Sequence, residues 1–478
     1  MRYVTPNGSP TSNGITEPCN LWRAIQLVNN QVRDTFQCAP GTYSQDRLTL
    51  SGSGGVFHFE PGAELVGAQT HITDPFDHFE GGVYSIPYSG GVGTVVQRGN
   101  WIPIFVNDNY ARSFYLTEPV KLKWVSTIAR VVAQYGTWTH SAGRVYVHLY
   151  HGGAPTPEDE LYFAPENWGS LVITGDDNVI EGLTIRNTRS TGLWVQLKAA
   201  NTVLSNIKAV DAQVWLEGQF TIAERLDISH VITQGSPDHR ECLNSNDGTG
   251  ECWNADGDGR GLLIGRQNTS HSYRQTITDS FVHRCWNGAR IDGPNTLQRS
   301  RFWGFPNHTL EGSGNNVTIQ NCVCLNGQDS LFVRGAFEGW NVTNNIFINA
   351  CYLTRSKTGV GGTPATLPWF FTRNIVSALT MDWLAYDVLQ SDMNVWLERG
   401  GDSNMYRVID TNGVRGFTLD TFAEILARTP GDNLSKAMHP DVLKGGMFVR
   451  YTGPEDPNFN FNDALVIDGE RVGPEHIE

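Results

Sequence analysis

The chain has 478 residues and a formal net charge of −14; charged residues make up only 18%, while glycine numbers 51. An acidic chain with no basic run or nucleic-acid motif argues against a nucleic-acid partner, and no apolar run of 18 or more residues is present to span a membrane. Few charges and abundant glycine suit short strands joined by many turns, and an elongated repeat of this length need not split into globular domains.

Residues 1–69 read as an N-terminal cap leading into the first coils. Tyr3 to Ser9 has the pattern of a strand and turn, and Leu21, Ile25 and Val28 have helical spacing. A helix there would cover the open end of a repeat. Ala39-Pro-Gly-Thr-Tyr43 and Val56 to Val66 begin the coils. The opening Met1 to Gly8 lacks the apolar core of a signal peptide, so a secreted or extracellular protein is expected to have lost its leader or to leave the cell by another route, as a phage component would. Residues 70–165 break the period. Phe79 to Ile86, Trp101 to Asp108 and Gly136 to Leu149 alternate like the strands of an inserted antiparallel β subdomain.

Residues 166–375 carry the repeat. Gly192-Leu-Trp-Val-Gln196, Gln213-Val-Trp-Leu-Glu217, Gly261-Leu-Leu-Ile-Gly265, Gly288-Ala-Arg-Ile-Asp292, Asn307-His-Thr-Leu-Glu311 and Ser330-Leu-Phe-Val-Arg334 recur mostly at steps of about 19 to 24 residues. A short β run and a polar turn per copy make a solenoid, so an all-β, right-handed parallel β-helix is expected. Residues 376–478 hold irregular last coils, a helix over Leu419 to Ala427 and a tail.

Alternation along each strand sends the second and fourth residues inward and the third and fifth outward. The expected outward columns are Trp194, Trp215, Leu263, Arg290, Thr309, Phe332 and Gln196, Glu217, Gly265, Asp292, Glu311, Arg334. His308 falls at an inward position and reads as structural. The face has tryptophans at one end, carboxylates in the middle and arginines beside and beyond them. Indole rings could lie against sugars, and carboxylates and guanidinium groups could handle hydroxyls and protons.

Gly265 follows Asp227 by 38 positions, far more than neighbouring coils need. The excess, 235–260, is polar and brings Asp238, His239, Glu241, Asp256, Asp258 and Arg260 toward the carboxylate column. Asp256-Gly-Asp-Gly259 reads as a tight turn, a calcium site or part of the reacting group. Cys19 with Cys38, and Cys242 with Cys252, are placed where disulfides could form, whereas Cys285, Cys322, Cys324 and Cys351 read as buried small hydrophobes.

The opening Tyr3 to Ser9, the Ala39 to Tyr43 step, the Gly136 to Pro155 insertion and the Phe417 to Ser435 segment resemble the pectin-lyase-like superfamily of carbohydrate-active β-helix proteins. That resemblance implies a carbohydrate polymer or oligosaccharide as partner. Asn254-Ala-Asp-Gly257 and Arg290-Ile-Asp292 resemble two of the polygalacturonase steps, but the Asp-Asp and Gly-His-Gly steps are absent. Pro237-Asp-His239 has the residues of an alginate-epimerase step in another order.

Paired carboxylates point to glycoside hydrolysis. The expected catalytic group is Asp292 with Glu311 or Glu217, then Asp256, Asp258 and His239. Trp194, Trp215, Gln196, Arg290, Arg334 and Phe332 are expected to bind substrate. No cofactor is required, although calcium could bind. The alternatives are a lyase eliminating across a uronate and a non-catalytic glycan binder or tailspike-like protein.

Overall fold

The computed structural model describes residues 1–43, 47–67, 70–100, 122–164, 170–188, 191–231, 260–265, 273–356, 369–383 and 389–397, and the strands 104–107, 113–116, 405–410, 413–418, 436–438, 465–467 and 470–472. Each coil contributes three short parallel strands. In one coil these are Val179–Glu181, Thr184–Arg186 and Thr191–Val195, followed in the next by Val203–Ser205, Lys208–Val210 and Gln213–Leu216. The first strand of each coil joins a twelve-stranded flank sheet that starts with Arg2–Ser9 and ends with Leu389–Asp392. The second and third build a shoulder sheet and a groove sheet. The result is a right-handed parallel β-helix.

A single left-handed residue turns the chain from flank to shoulder. Asn206, Arg225, Asp279, Arg299, Asn321 and Asn344 hold φ between 48° and 57° there. Asparagine and aspartate tolerate this region because their short side chains bond locally. Just inside the corner the row becomes polar. Asn345, Asn374 and Asn394 are fully buried, and each amide oxygen accepts a backbone N–H of the preceding coil at 2.8–2.9 Å. Their side-chain N–H groups donate to the Ile319, Val342 and Phe371 carbonyls. An asparagine ladder thereby satisfies corner backbone that no strand pairing reaches.

The helix Leu21–Asn29 begins at Asn20, whose side chain accepts from the Arg23 N–H. It buries Leu21, Ala24, Ile25, Leu27 and Val28 in one core with Phe36, Phe57 and the inward rows of the coils. Cys19 and Cys38 flank Val4 on opposite sides, because Val4 pairs with both. Two strand spacings separate their backbones by roughly 10 Å, beyond disulfide reach. Both are buried free thiols, so the bond considered for this pair is not formed. Cys285, Cys322 and Cys324 are buried thiols as expected, and burial pushes Cys285 and Cys322 up to about 12. Cys242 and Cys252 lie outside the described residues, as do the side chain of Cys351 and the helix expected over Leu419 to Ala427.

The insertion holds a five-stranded, mostly antiparallel sheet and a smaller three-stranded antiparallel one, with a shared core around Trp138, Val145, Val147 and Phe163. The run expected as one strand at Phe79 to Ile86 is a hairpin, Asp77–Glu80 and Val83–Pro87, turning at Gly81-Gly82. Thr137–Ser141 and Arg144–His148 form a second hairpin, in which Ala142 and Gly143 both have positive φ. Tyr150 of this unit is half-buried; desolvation first, and then the charge of Asp211 in the solenoid, push its phenol above the usual range.

Candidate functional site

Strand register fixes the groove sheet. Leu171, Leu193, Val214, Leu262, Ala289, Leu310 and Leu331 form one buried row. The next residues along each strand face outward: Trp194, Trp215, Leu263, Arg290, Glu311 and Phe332. Two residues further on, Asp292 pairs with Ser313.

This corrects the expected columns at one strand. Asn307 to Glu311 is displaced by two residues, so Glu311 stands beside Arg290 and not beside Asp292. A two-residue slip preserves the outward face, since side chains alternate with period two. The run lies inside the continuous strand Arg301–Asn315, whose register shifts between Phe305 and His308. Thr309 leaves the column and is fully buried.

Asp292 is 3% exposed. Its Oδ2 accepts from Arg290 Nε at 2.7 Å and its Oδ1 from the Ser313 hydroxyl at 2.5 Å. Burial raises its carboxyl above the usual range; the Arg290 charge and the two hydrogen bonds pull it back, and nearby Glu311 pushes it further up. Arg290 Nη2 is buried with no hydrogen-bond partner among the described residues, which leaves a donor available to a ligand oxygen. Glu311, 2% exposed, pairs with Arg260 Nε at 3.1 Å. Arg260 is the first described residue after 232–259, and it reaches across two coils to make that pair. Glu217, also 2% exposed, accepts from the Trp194 indole N–H at 2.8 Å.

The aromatic residues are arranged differently from the expected sugar platforms. Trp194 and Trp215 stack on each other, with ring centroids 4.8 Å apart and planes 7° apart. Arg47 lies over Trp194 at 5.7 Å. Stacking at the coil spacing covers ring faces and leaves edges at the surface. Phe332 is 6% exposed and stacks flat on His308 at 3.9 Å, so it offers no open face either. His308 is buried as expected, but it packs on an outward-column residue that lies outside the main core cluster.

Gln196 is half-buried at the end of the Trp194 strand. Asp256, Asp258 and His239, and the side chain of Arg334, lie outside the described residues. Among the described residues no cluster of His, Cys, Asp and Glu could hold a metal ion.

Sequence reading missed Ser313, because the two-residue slip hid it. It also missed Gln213, whose amide donates to the Arg260 carbonyl at 3.1 Å. The tryptophan at the same position of two adjacent coils, in Leu193-Trp194-Val195 and Val214-Trp215-Leu216, was a usable signal for the indole stack.

Fold and site together define a parallel β-helix whose groove sheet carries two ion pairs, Arg290–Asp292 and Arg260–Glu311, with the buried Glu217 bonded to Trp194 on the same face. No protein family matches the chain, and no curated protein matches it in sequence. Its structure is similar to that of XylC solved with xylose, at 12% identity over 88% of this chain and 73% of that one, with a TM-score of 0.47. It is similar to pectate lyase Pel9A at 12% identity, covering 79% and 76% of the two chains, with a TM-score of 0.39. It is also similar to PfbA, a surface adhesin of Streptococcus pneumoniae, at 9% identity over 83% and 94%, with a TM-score of 0.38. With likenesses this distant, the fold assignment rests on the strand register itself. Among the described residues no helix is long and apolar enough to cross a membrane.

Proposed function

We propose that this protein is an exported glycoside hydrolase acting on a carbohydrate polymer or oligosaccharide, with Asp292 as proton donor and Glu217 as base. The observation that carries the reading is Asp292 itself: a carboxyl on the outward side of the groove sheet, buried, raised, and held on both oxygens by Arg290 and Ser313. A proton donor near neutral pH requires a carboxyl pushed up in this way. Glu217 and Asp292 are two coils apart, so their backbones are roughly 10 Å apart; carboxyl groups leaning toward each other from there would reach the separation of about 6.5–9.5 Å that admits a water between acid and base. Glu217 would take a proton from that water as it attacks the anomeric carbon. Asp292 would give its proton to the departing glycosidic oxygen. Arg290 Nη2 would donate to a substrate oxygen. Glu311, tied to Arg260, would act on Asp292 through its charge. No cofactor enters this scheme, and neither nucleic acid nor membrane is a partner in it.

Elimination across a uronate is the second reading, favoured by the unsatisfied Arg290 Nη2, which could hold a substrate carboxylate. The test is to incubate wild type and Asp292→Asn with plant, algal and bacterial glycans while following reducing ends and absorbance near 235 nm (the signal of an unsaturated product). Reducing ends without absorbance, lost in the variant, support the hydrolase. Absorbance rising with the ends replaces it with the lyase. Binding without turnover replaces both with a glycan binder.

A further inference from the structure

We infer that Trp194 is a positioning residue, whose indole N–H holds Glu217 as the base opposite Asp292. This rests on the hydrolase reading and assigns Trp194 a role other than that of a sugar platform.

The indole nitrogen is a donor only, so at 2.8 Å the Glu217 Oε2 must be the acceptor. A protonated carboxyl has less acceptor capacity to offer, so the bond favours the ionised form that a base needs. Neighbours hold the ring. Trp215 lies flat against one face at 4.8 Å, and the Arg47 guanidinium stands 5.7 Å from the ring centre. Trp215 is itself pinned, because its indole N–H donates to the Gly265 carbonyl at 3.3 Å. Both indole N–H groups therefore point along the row that runs from Glu217 through Gly265 toward Asp292. A ring that served only to receive a sugar would need an open face and would not need its N–H aimed at a carboxylate. Trp194 lacks the first and has the second.

The decisive measurement uses the full chain labelled with nitrogen-15 at tryptophan, with the Trp194 indole signal assigned by its loss in Trp194→Phe. The expected result is that this signal titrates with pH in wild type and stops titrating in Glu217→Gln. The Trp215 signal, bonded to an uncharged carbonyl, should not follow it. A Trp194 signal that ignores pH, or titrates identically in Glu217→Gln, overturns the inference.

Kinetics then use whichever glycan of the panel the wild type cuts. Trp194→Phe removes the donor and keeps a smaller aromatic ring in the stack, so the pH profile and not kcat alone reads the lost bond. Losing a hydrogen bond to a charged group should lower kcat about 10- to 100-fold, leave KM within about twofold, and move the acidic limb of the kcat/KM profile up by about one pH unit. If Glu217→Gln is inactive while Trp194→Phe keeps wild-type kcat and profile, the positioning role fails and the hydrolase reading stands. If Glu217→Gln cuts as wild type does, the base assignment fails and the inference with it.

Discussion

Asp292 shows how one side chain can be structural and reactive at once. Its raised carboxyl has a definite sign for stability. The contribution of its neutral form is complete below the unfolded carboxylate value of about 3.9 and is lost as pH rises through the higher folded value. Asp227 has the opposite sign. Burial pushes it up, but the hydrogen bond and charge of His283, with Lys208 and His230, hold it below the usual range. Its contribution is present above the unfolded value and lost on acidification. Denaturation midpoints across the acid-to-neutral range should therefore show both effects: Asp292→Asn should reduce the loss on the rising side, and Asp227→Asn the loss on the falling side. In activity, a proton donor must be protonated, so hydrolysis should decline as pH rises through the folded value of Asp292, and Asp292→Asn should lose about 100-fold or more. A variant that keeps both activity and the same alkaline limb would remove Asp292 from the chemistry.

Along single strands, the sequence revealed which side chains face out, but not which coil neighbours they meet. Leu193, Val195, Leu262 and Ile264 announce the inward positions by alternation alone, so the outward face was legible. Lateral register was legible only where every strand carries the same two apolar markers. Asn307 to Glu311 has one, Leu310, and it fits either of two positions a pair of residues apart. The structure resolves the choice by setting Leu310 beside Ala289 and Leu331. The consequence is energetic. Glu311 gains Arg260, and an ion pair this deeply buried is costly to break from one side. Glu311→Gln should lower stability by about 3–5 kcal/mol, because the Arg260 charge loses its counterion inside. Gly265→Ala should also destabilise, since φ is +84° and a Cβ would stand 2.3 Å from the Asp292 carbonyl. In the asparagine ladder, Asn374→Ala withdraws an acceptor and a donor together and should cost about 2–6 kcal/mol in chemical denaturation, at about 1–3 kcal/mol for each group left unsatisfied. Little change in Glu311→Gln or Asn374→Ala would mean that water or a rearranged neighbour replaces the missing partner, and little change in Gly265→Ala that the Asp292 backbone gives way to the methyl group.

At the scale of the whole molecule, a solenoid has two ends, and each would expose a row of unpaired strand edges and apolar side chains. The helix Leu21–Asn29 closes one of them. Its buried face meets the same core cluster that contains Phe36 and Phe57, which stack at 4.9 Å just beneath it. The helix adds no residue to the groove, and its nine residues are too few to be stable alone, so tertiary burial must hold it in place. Coils that contact only their neighbours give nearly independent stability to distant parts of the molecule. A charge placed on the inner face of the helix should therefore act at that end and leave the groove intact. Ile25→Glu should unseat the helix, expose the apolar side chains packed beneath it, and produce concentration-dependent self-association visible in sedimentation velocity. The Trp215 signal, three coils from the strand Leu48–Leu50 on which the helix packs, should keep its wild-type position. If Ile25→Glu stays monomeric, the end of the solenoid is protected by something other than this helix. If the Trp215 signal shifts with it, the coils are coupled over a longer range than nearest-neighbour stacking allows.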